Sequence, residues 1–306
     1  MRNKFALPLT VLLGGAAGFL LRRWELASAF EADTGLPVSG APATLALIGL
    51  SAAVFLTLAL LCRGTGRGFQ GSYDDAFQAR NDILYLTSMV AAAFLLAGAG
   101  VLLLAQAVGV LSDALAASAG VDLLLSDVLQ IALSVGRELL LAVLALASAV
   151  SLLRLGKNNY KGEGKGERSG CLLVPAYTAC VWLITSYLDH SGDPIVLDYV
   201  YQLFAAVASV LGCYFLAGFG FKRPKGFPAA LFSLTAMYFC LVTLADRHTL
   251  PELLLYAGYF LYFAASALAL LRSPARPLGP RMPGGKRLAR TEAEEHLNQE
   301  ETPDEG

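Results

Sequence analysis

Long apolar runs, separated by short polar segments, occupy most of this chain. Eight runs meet or approach the roughly 20 apolar residues that a helix needs to cross the hydrocarbon core of a membrane. They cover residues 5–21, 44–62, 83–108, 137–155, 171–188, 198–220, 227–245 and 250–271. Lipid offers no hydrogen-bonding partner to an open backbone, so such runs must be helical. The pattern predicts an all-α, polytopic membrane bundle of about eight transmembrane helices.

The basic residues follow the alternation of runs and loops. With eight crossings, 19 of the 23 Lys and Arg residues fall on the same side as the two termini. The four exceptions are Arg22, Arg23, Arg137 and Arg247. Lys and Arg gather in cytoplasmic loops. We therefore expect a multi-pass protein of the plasma (inner) membrane, with both termini in the cytoplasm.

Composition supports one membrane bundle over two soluble domains. The chain is 56% hydrophobic and 15% charged, whereas soluble domains are about 45–50% apolar and about 25% charged. The net charge of −1 gives no expectation of nucleic-acid binding. None of the five cysteines shows the C-x-x-C spacing of a metal or redox site, so we predict no cofactor.

The two halves of the chain share a plan. Each has a helix, a loop containing acids, a second helix and a basic loop that ends in Gly-Phe, at Gly68-Phe69 and Gly226-Phe227. This suggests a parallel repeat of four plus four helices. The predicted parts are an N-terminal membrane half (1–155), a cytoplasmic linker (156–170), a C-terminal membrane half (171–272) and a disordered cytoplasmic tail (273–306).

The linker "GKNNYKGEGKGERSG" contains Gly-Lys pairs but is not a phosphate-binding loop. A Walker A loop requires G-x-x-x-x-G-K-[ST]. Here Lys165 is followed by Gly166, and Asn159 stands where the first Gly belongs. Alternating Gly, Lys and Glu residues are typical of a flexible, solvated linker.

Two segments leave alternatives open. The N-terminus resembles a secretory signal, but Arg22, Arg23 and Glu25 separate its apolar stretch from the Ala27-x-Ala29 step; we expect a retained first helix, with cleavage as the alternative. Residues 112–136 have the apolar periodicity of an amphipathic helix. Such a helix would lie in the membrane interface or extend the fourth span outward.

Two loops between helices contain side chains that metals bind. The segments "YLDHSGDP" and "ADRHTLPE" bring acids and histidines to the side away from the termini. If the loops meet, zinc ligands come together there. The candidate ligands are Asp189, His190, Asp246 and His248. Neither segment has the local spacing of a zinc motif, so solvated turns are the alternative.

Polar aromatic residues are concentrated in the C-terminal half. Ten of the twelve tyrosines follow Ser151. Ligand pockets are mostly apolar with a few placed polar groups, so this half could enclose an uncharged or amphipathic ligand. The candidate residues are Tyr177, Thr178, Tyr214, Thr235, Tyr238, Tyr259 and Tyr262. The alternative is that each hydroxyl bonds a neighbouring helix.

No hydrolase motif is present, and no Asp, Glu, Lys, Arg or His lies in the middle of a predicted span. We therefore identify no catalytic residue and expect a non-catalytic membrane anchor, scaffold or regulatory component. One alternative is a permease for a neutral or amphipathic small molecule. Another is an intramembrane lipid-modifying enzyme. The expected partners are membrane lipids and either a protein partner or further copies of the chain.

Overall fold

The computed structural model describes residues 3–31, 33–63, 73–77, 79–118, 125–162, 169–192, 194–221 and 223–272. The helices in these residues are α1 (Asn3–Ser28), α2 (Pro42–Cys62), α3 (Tyr73–Ala76), α4 (Ile83–Ser118), α5 (Leu125–Lys161), α6 (Ser169–Asp189), α7 (Val196–Gly220), α8 (Gly226–Thr243) and α9 (Leu250–Arg272). All except α3 are long and apolar enough to cross a membrane. This confirms the predicted all-α polytopic bundle.

Three helices extend well beyond the predicted spans. The first, α1, continues past its apolar run to Ser28 and so includes Arg22. The helices α4 and α5 have 36 and 37 residues, about 54 Å each at 1.5 Å per residue, against a hydrocarbon core of about 30 Å. Of the two alternatives for 112–136, the structure therefore shows the helical extension, at 125–136. Residues 119–124 lie outside the described part.

Six helices form a closed ring. Each of α4 to α9 packs against the next along the chain, and α9 returns to pack against α4. The hairpin of α1 and α2 lies outside this ring, against α8. Helices from the two predicted halves thus pack directly on each other, while the four-plus-four repeat stays a prediction. The predicted linker is helical over 156–161, and its residues 163–168 and the predicted tail lie outside the described part.

Aromatic side chains fill the ring where α6 and α9 face each other. The Trp182 ring stacks on Tyr259 at 5.3 Å between centroids and meets Tyr256 edge-on at 4.8 Å. Phe263 continues the stack, 6.0 Å from Tyr259. All four side chains are buried. Offset and edge-on ring pairs of this kind stabilise a packed core beyond their buried area.

Small residues let the outer hairpin approach the ring closely. A Cβ atom at Gly15 of α1 would lie 2.5 Å from Leu241 Cδ1 of α8. The Tyr238 hydroxyl of α8 lies 2.9 Å from the Ser51 hydroxyl of α2. Close backbone approach at small residues and hydrogen bonds between helices are the usual means of helix association in lipid.

The helix ends lie at two levels. At the basic end, where α1 begins and α9 ends, Arg272 pairs with Asp82 and the Ser169 hydroxyl donates to the Gly220 carbonyl at 2.8 Å. We call the opposite level, where α1, α6 and α8 end, the far end. The candidate site lies there.

Candidate functional site

The last two turns of α1 place one arginine inside the protein. Arg22 has no exposed surface, whereas its neighbours Arg23 and Trp24 face outward. A residue of a helix is turned by about 100° from the one before it. The face of α1 that packs on α8 therefore continues through Arg22 and Glu25, three residues apart and both fully buried.

The Arg22 guanidinium joins three separate parts of the chain. Its Nε donates to Asp246 Oδ1 at 2.6 Å, and its Nη1 donates to Glu25 Oε2 at 2.7 Å. Nη1 and Nη2 also donate to the backbone carbonyls of Leu197 and Asp198, at 3.1 Å and 2.5 Å. The flat, five-donor fork of arginine suits several acceptors at once. Arg22 thus ties the end of α1 to the α8–α9 loop and to the start of α7.

With both of its carboxyls ionised, the buried cluster carries one negative charge in excess. Arg22 supplies one positive charge, and Glu25 and Asp246 supply two carboxylates. Glu25 Oε1 and Asp246 Oδ2 are buried without a hydrogen-bond partner among the described residues. Burial raises the pKa of the Asp246 carboxyl above its usual value, although the Arg22 guanidinium acts in the opposite direction.

A cavity of about 620 Å³ opens beside this cluster. Its apolar wall includes Leu26, Phe30 and Ile195. Its polar wall consists of His190, Asp198, Gln202, Asp246 and Arg247. The volume is within the range of about 300–1,000 Å³ typical of ligand pockets. The cavity thus offers carboxylates, a cation and an apolar surface to the same ligand.

The structure brings two of the four predicted metal ligands to this cavity. His190 and Asp246 both line it. The His190 ring stacks on Tyr199, and its Nδ1 lies 2.8 Å from the Ser186 carbonyl. Asp246 instead accepts from the guanidinium described above.

The other two predicted ligands are engaged elsewhere. Asp189 pairs with Arg137 of α5. His248 lies with Nε2 2.5 Å from the Thr243 carbonyl and Nδ1 3.7 Å from Glu252. Among the described residues, no group of three or more His, Cys, Asp or Glu side chains is placed to hold a metal ion.

The seven predicted ligand-binding residues do not converge on one pocket. Tyr177 and Tyr214 are exposed on the outside of the bundle. Thr235 donates to the Leu231 carbonyl of its own helix at 2.8 Å. Tyr238 bonds Ser51 of α2, as described above.

The remaining three are buried between helices of the ring. The Thr178 hydroxyl lies 2.7 Å from the Ser148 hydroxyl, which joins α6 to α5. The Tyr259 hydroxyl donates to the Pro175 carbonyl at 2.8 Å, which joins α9 to α6. Tyr262 is buried beside Phe263, with 5.2 Å between ring centroids. Thr178 and Tyr259 thus bond neighbouring helices, while a ligand-binding role for the seven residues stays a prediction.

A second feature of the far end is the hairpin of α4 and α5. The two helices are antiparallel, and a Cβ at Gly100 would lie 2.9 Å from the Ala142 carbonyl. Residues 105–118 therefore run beside residues 125–137. Because Arg137 pairs with the last residue of α6, about 13 residues of α4, or about 20 Å, extend beyond the level where α6 ends.

Each helix of this hairpin carries an exposed apolar seam. The α4 seam consists of Phe94, Val101, Leu104, Val108 and Leu111, which are 36–70% exposed. The α5 seam consists of Leu129, Leu133, Leu140, Val143 and Val150, which are 48–65% exposed. Spacings of three, four and seven residues are those of a heptad repeat. Both seams continue from the lipid-facing part of the bundle into the extension.

Sequence reasoning missed Arg22, Glu25, Gln202 and Arg247 as site residues. The available signal was the helical spacing of Arg22 and Glu25, which lie three residues apart directly after the apolar run that ends at residue 21. Charged residues inside a span usually face the bundle interior and pair with one another. No protein-family model, curated protein or solved structure matches this chain.

Proposed function

We propose that this chain is a non-catalytic membrane anchor or scaffold that holds a helical protein partner along the α4–α5 hairpin. The observation that carries the proposal is the pair of exposed apolar seams that continue about 20 Å past the end of α6. Apolar side chains that face lipid need no protein cover. The same side chains beyond the membrane are characteristic of an interaction surface.

The spacing of the seams supports a helix as the partner element. Apolar residues every three and four positions form a narrow stripe that packs against another helix at about 20°. Side chains of the partner would insert between seam residues as knobs into holes. Val108 and Leu111 of α4 and Leu133 of α5 lie on the extension and are the centre of this surface.

The filled ring supports a structural role over transport. Trp182, Tyr256 and Tyr259 occupy the space between α6 and α9. Transporters place their substrate sites near the bilayer midplane, on broken helices that line a cavity. In the described helices, stacked aromatic rings fill the space between α6 and α9 instead.

We also propose that the chain resides in the plasma membrane with both termini in the cytoplasm. The 19-to-4 distribution of Lys and Arg supports this orientation. Two of the four exceptions, Arg22 and Arg137, are held in ion pairs with carboxylates. Such pairing reduces the positive charge that the far end presents.

The experiment is extraction of the protein in native lipid discs, followed by mass spectrometry of everything that accompanies it. The seam variants Leu111→Glu and Leu133→Glu are compared with Ser112→Glu and Ala132→Glu, which place the same charge on exposed positions beside the seams. We expect a stoichiometric protein, another chain or a second copy, that is lost only from the seam variants.

Two results would count against the proposal. The first is a partner retained equally by the seam and control variants, because the seams would then play no part. The second is turnover or movement of a substrate by the purified protein alone, because this would require a transporter or an enzyme.

A further inference from the structure

We infer that the far-end cavity binds a small ligand through a primary ammonium group, with Asp246 and Asp198 as its acceptors. The site is independent of the anchor role proposed above, because it lies at the other side of the ring from the α4–α5 seams. The expected ligand is a small molecule that has a positively charged group with hydrogen-bond donors and an aliphatic or aromatic stem.

The first argument is an unsatisfied oxygen. The Asp246 side chain is 4% exposed and lines the cavity. Its Oδ1 accepts from Arg22, but its Oδ2 is buried and has no hydrogen-bond partner among the described residues. A buried carboxylate oxygen without a donor is unfavourable. A donor that enters the cavity would remove this penalty, so the geometry favours a ligand with N–H groups.

The second argument is the local charge. Arg22 balances only one of the carboxylates of Glu25 and Asp246. The two remaining charges on the wall, Asp198 and Arg247, cancel. With these side chains ionised, the cavity and its buried cluster carry a net charge of −1, which a single monovalent cation neutralises. An ammonium supplies that charge and up to three donors in the same group.

The third argument is the shape and lining of the cavity. About 620 Å³ is much larger than one ammonium group, so the ligand has a stem. Phe30 and Ile195 provide an apolar wall for that stem, and Arg247 can pair with an anionic group on the same molecule. A free amine and the ethanolamine head group of a phospholipid both present this chemistry. The cavity lies where helices end, at the level that head groups reach in a membrane.

The test is calorimetric titration of the full chain, purified in detergent, with ethanolamine and with choline. Choline has the same charge but no N–H donor. We expect ethanolamine to bind and choline to bind at least about tenfold more weakly, because a hydrogen bond to a charged group contributes about that factor. Discs of phosphatidylethanolamine and of phosphatidylcholine, compared by thermal unfolding, then distinguish a lipid head group from a free amine.

Variants keep the result interpretable. Asp246→Asn removes the main acceptor but also changes the contact with Arg22. Asp198→Asn is therefore the second variant, because Arg22 uses only the backbone carbonyl of that residue. The matched control is Asp113→Asn, an exposed acid on α4. We expect about tenfold weaker ethanolamine binding in the two cavity variants and unchanged binding in the control.

Three outcomes would overturn the assignment. Equal binding of choline and ethanolamine would show that the protein responds to positive charge alone. Equal weakening by Asp113→Asn and Asp198→Asn would place the effect outside the cavity. The third outcome is that free ethanolamine fails to bind and the protein is equally stable in the two kinds of disc. This would mean that a proton, and not an amine ligand, satisfies the buried Asp246 oxygen.

Discussion

Replacement of Arg22 by methionine tests the buried ion cluster most directly. Methionine has an unbranched stem of similar length, so the packing against α7 and α8 is largely kept. The substitution removes the guanidinium that pairs with both Glu25 and Asp246. It also removes the donors to two backbone carbonyls at the start of α7.

The expected loss follows from what remains behind. Glu25 is fully buried and Asp246 is 4% exposed, so the variant leaves two carboxylates in the interior without the guanidinium that pairs with them. Removing one partner of a buried ion pair destabilises a protein by about 3–5 kcal/mol. We expect Arg22→Met to lower the free energy of unfolding by that amount. Arg22→Lys, which keeps the charge but not the planar fork, should give an intermediate loss.

The assay is reversible unfolding in mixed detergent micelles, with Arg23→Met as the control because Arg23 is exposed on the same helix turn. The control should change the free energy of unfolding by less than about 0.5 kcal/mol. The triple variant R22M/E25Q/D246N should recover most of the loss, because the stranded charges are gone. Similar losses for Arg22→Met and Arg23→Met, or no recovery in the triple variant, would refute the reasoning.

Three further predictions concern other contacts, and each is read from the free energy of unfolding. Gly15→Ala forces a Cβ to within 2.5 Å of a leucine side chain on α8 and should destabilise the protein by about 1–3 kcal/mol. The control Gly49→Ala has open space around the new Cβ and should not destabilise the protein. Equal effects of the two variants would contradict the packing of α1 on α8. Tyr238→Phe breaks the link to α2 and should reduce stability by about 0.6 kcal/mol, and by no more than about 1.7 kcal/mol. Because burial raises the pKa of Asp246, the native state holds this proton more tightly than the unfolded chain does. The resulting stability is present below pH about 3.8 and is lost as the pH rises through the raised pKa. Asp246→Asn should therefore flatten the plot of unfolding free energy against pH above about 3.8. An unchanged plot would assign the pH dependence to another group.

The number of membrane-spanning helices could be predicted because lipid imposes a length and a composition on every span, whereas the four-residue helix α3 was not predicted. Their ends could not be predicted so well. Hydropathy ends α4 near residue 108, whereas the helix continues to Ser118. The reason is physical: the polar residues of the extension, such as Asp113, lie on a helix as readily as in a loop, and hydropathy records only how apolar a segment is.

The far-end site was predictable only in part. Antiparallel neighbours bring their loops to one level, so the expected approach of His190 and Asp246 could be deduced from the helix count. The burial of Arg22 could not. Its burial depends on hydrogen-bond acceptors from α7 and the α8–α9 loop. These acceptors are distant in sequence, and no local sequence pattern indicates where they lie.

The separation between Arg22 and Asp246 has a consequence for biosynthesis. The two residues are 224 positions apart, and chains are synthesised at about 5–20 residues per second. The arginine therefore exists for roughly 10–45 s before its distant partner is synthesised. Glu25, one helical turn away, can pair with Arg22 as soon as α1 forms. Arg22 thus enters the membrane with its charge already matched, and its docking against the α8–α9 loop is among the last steps of assembly.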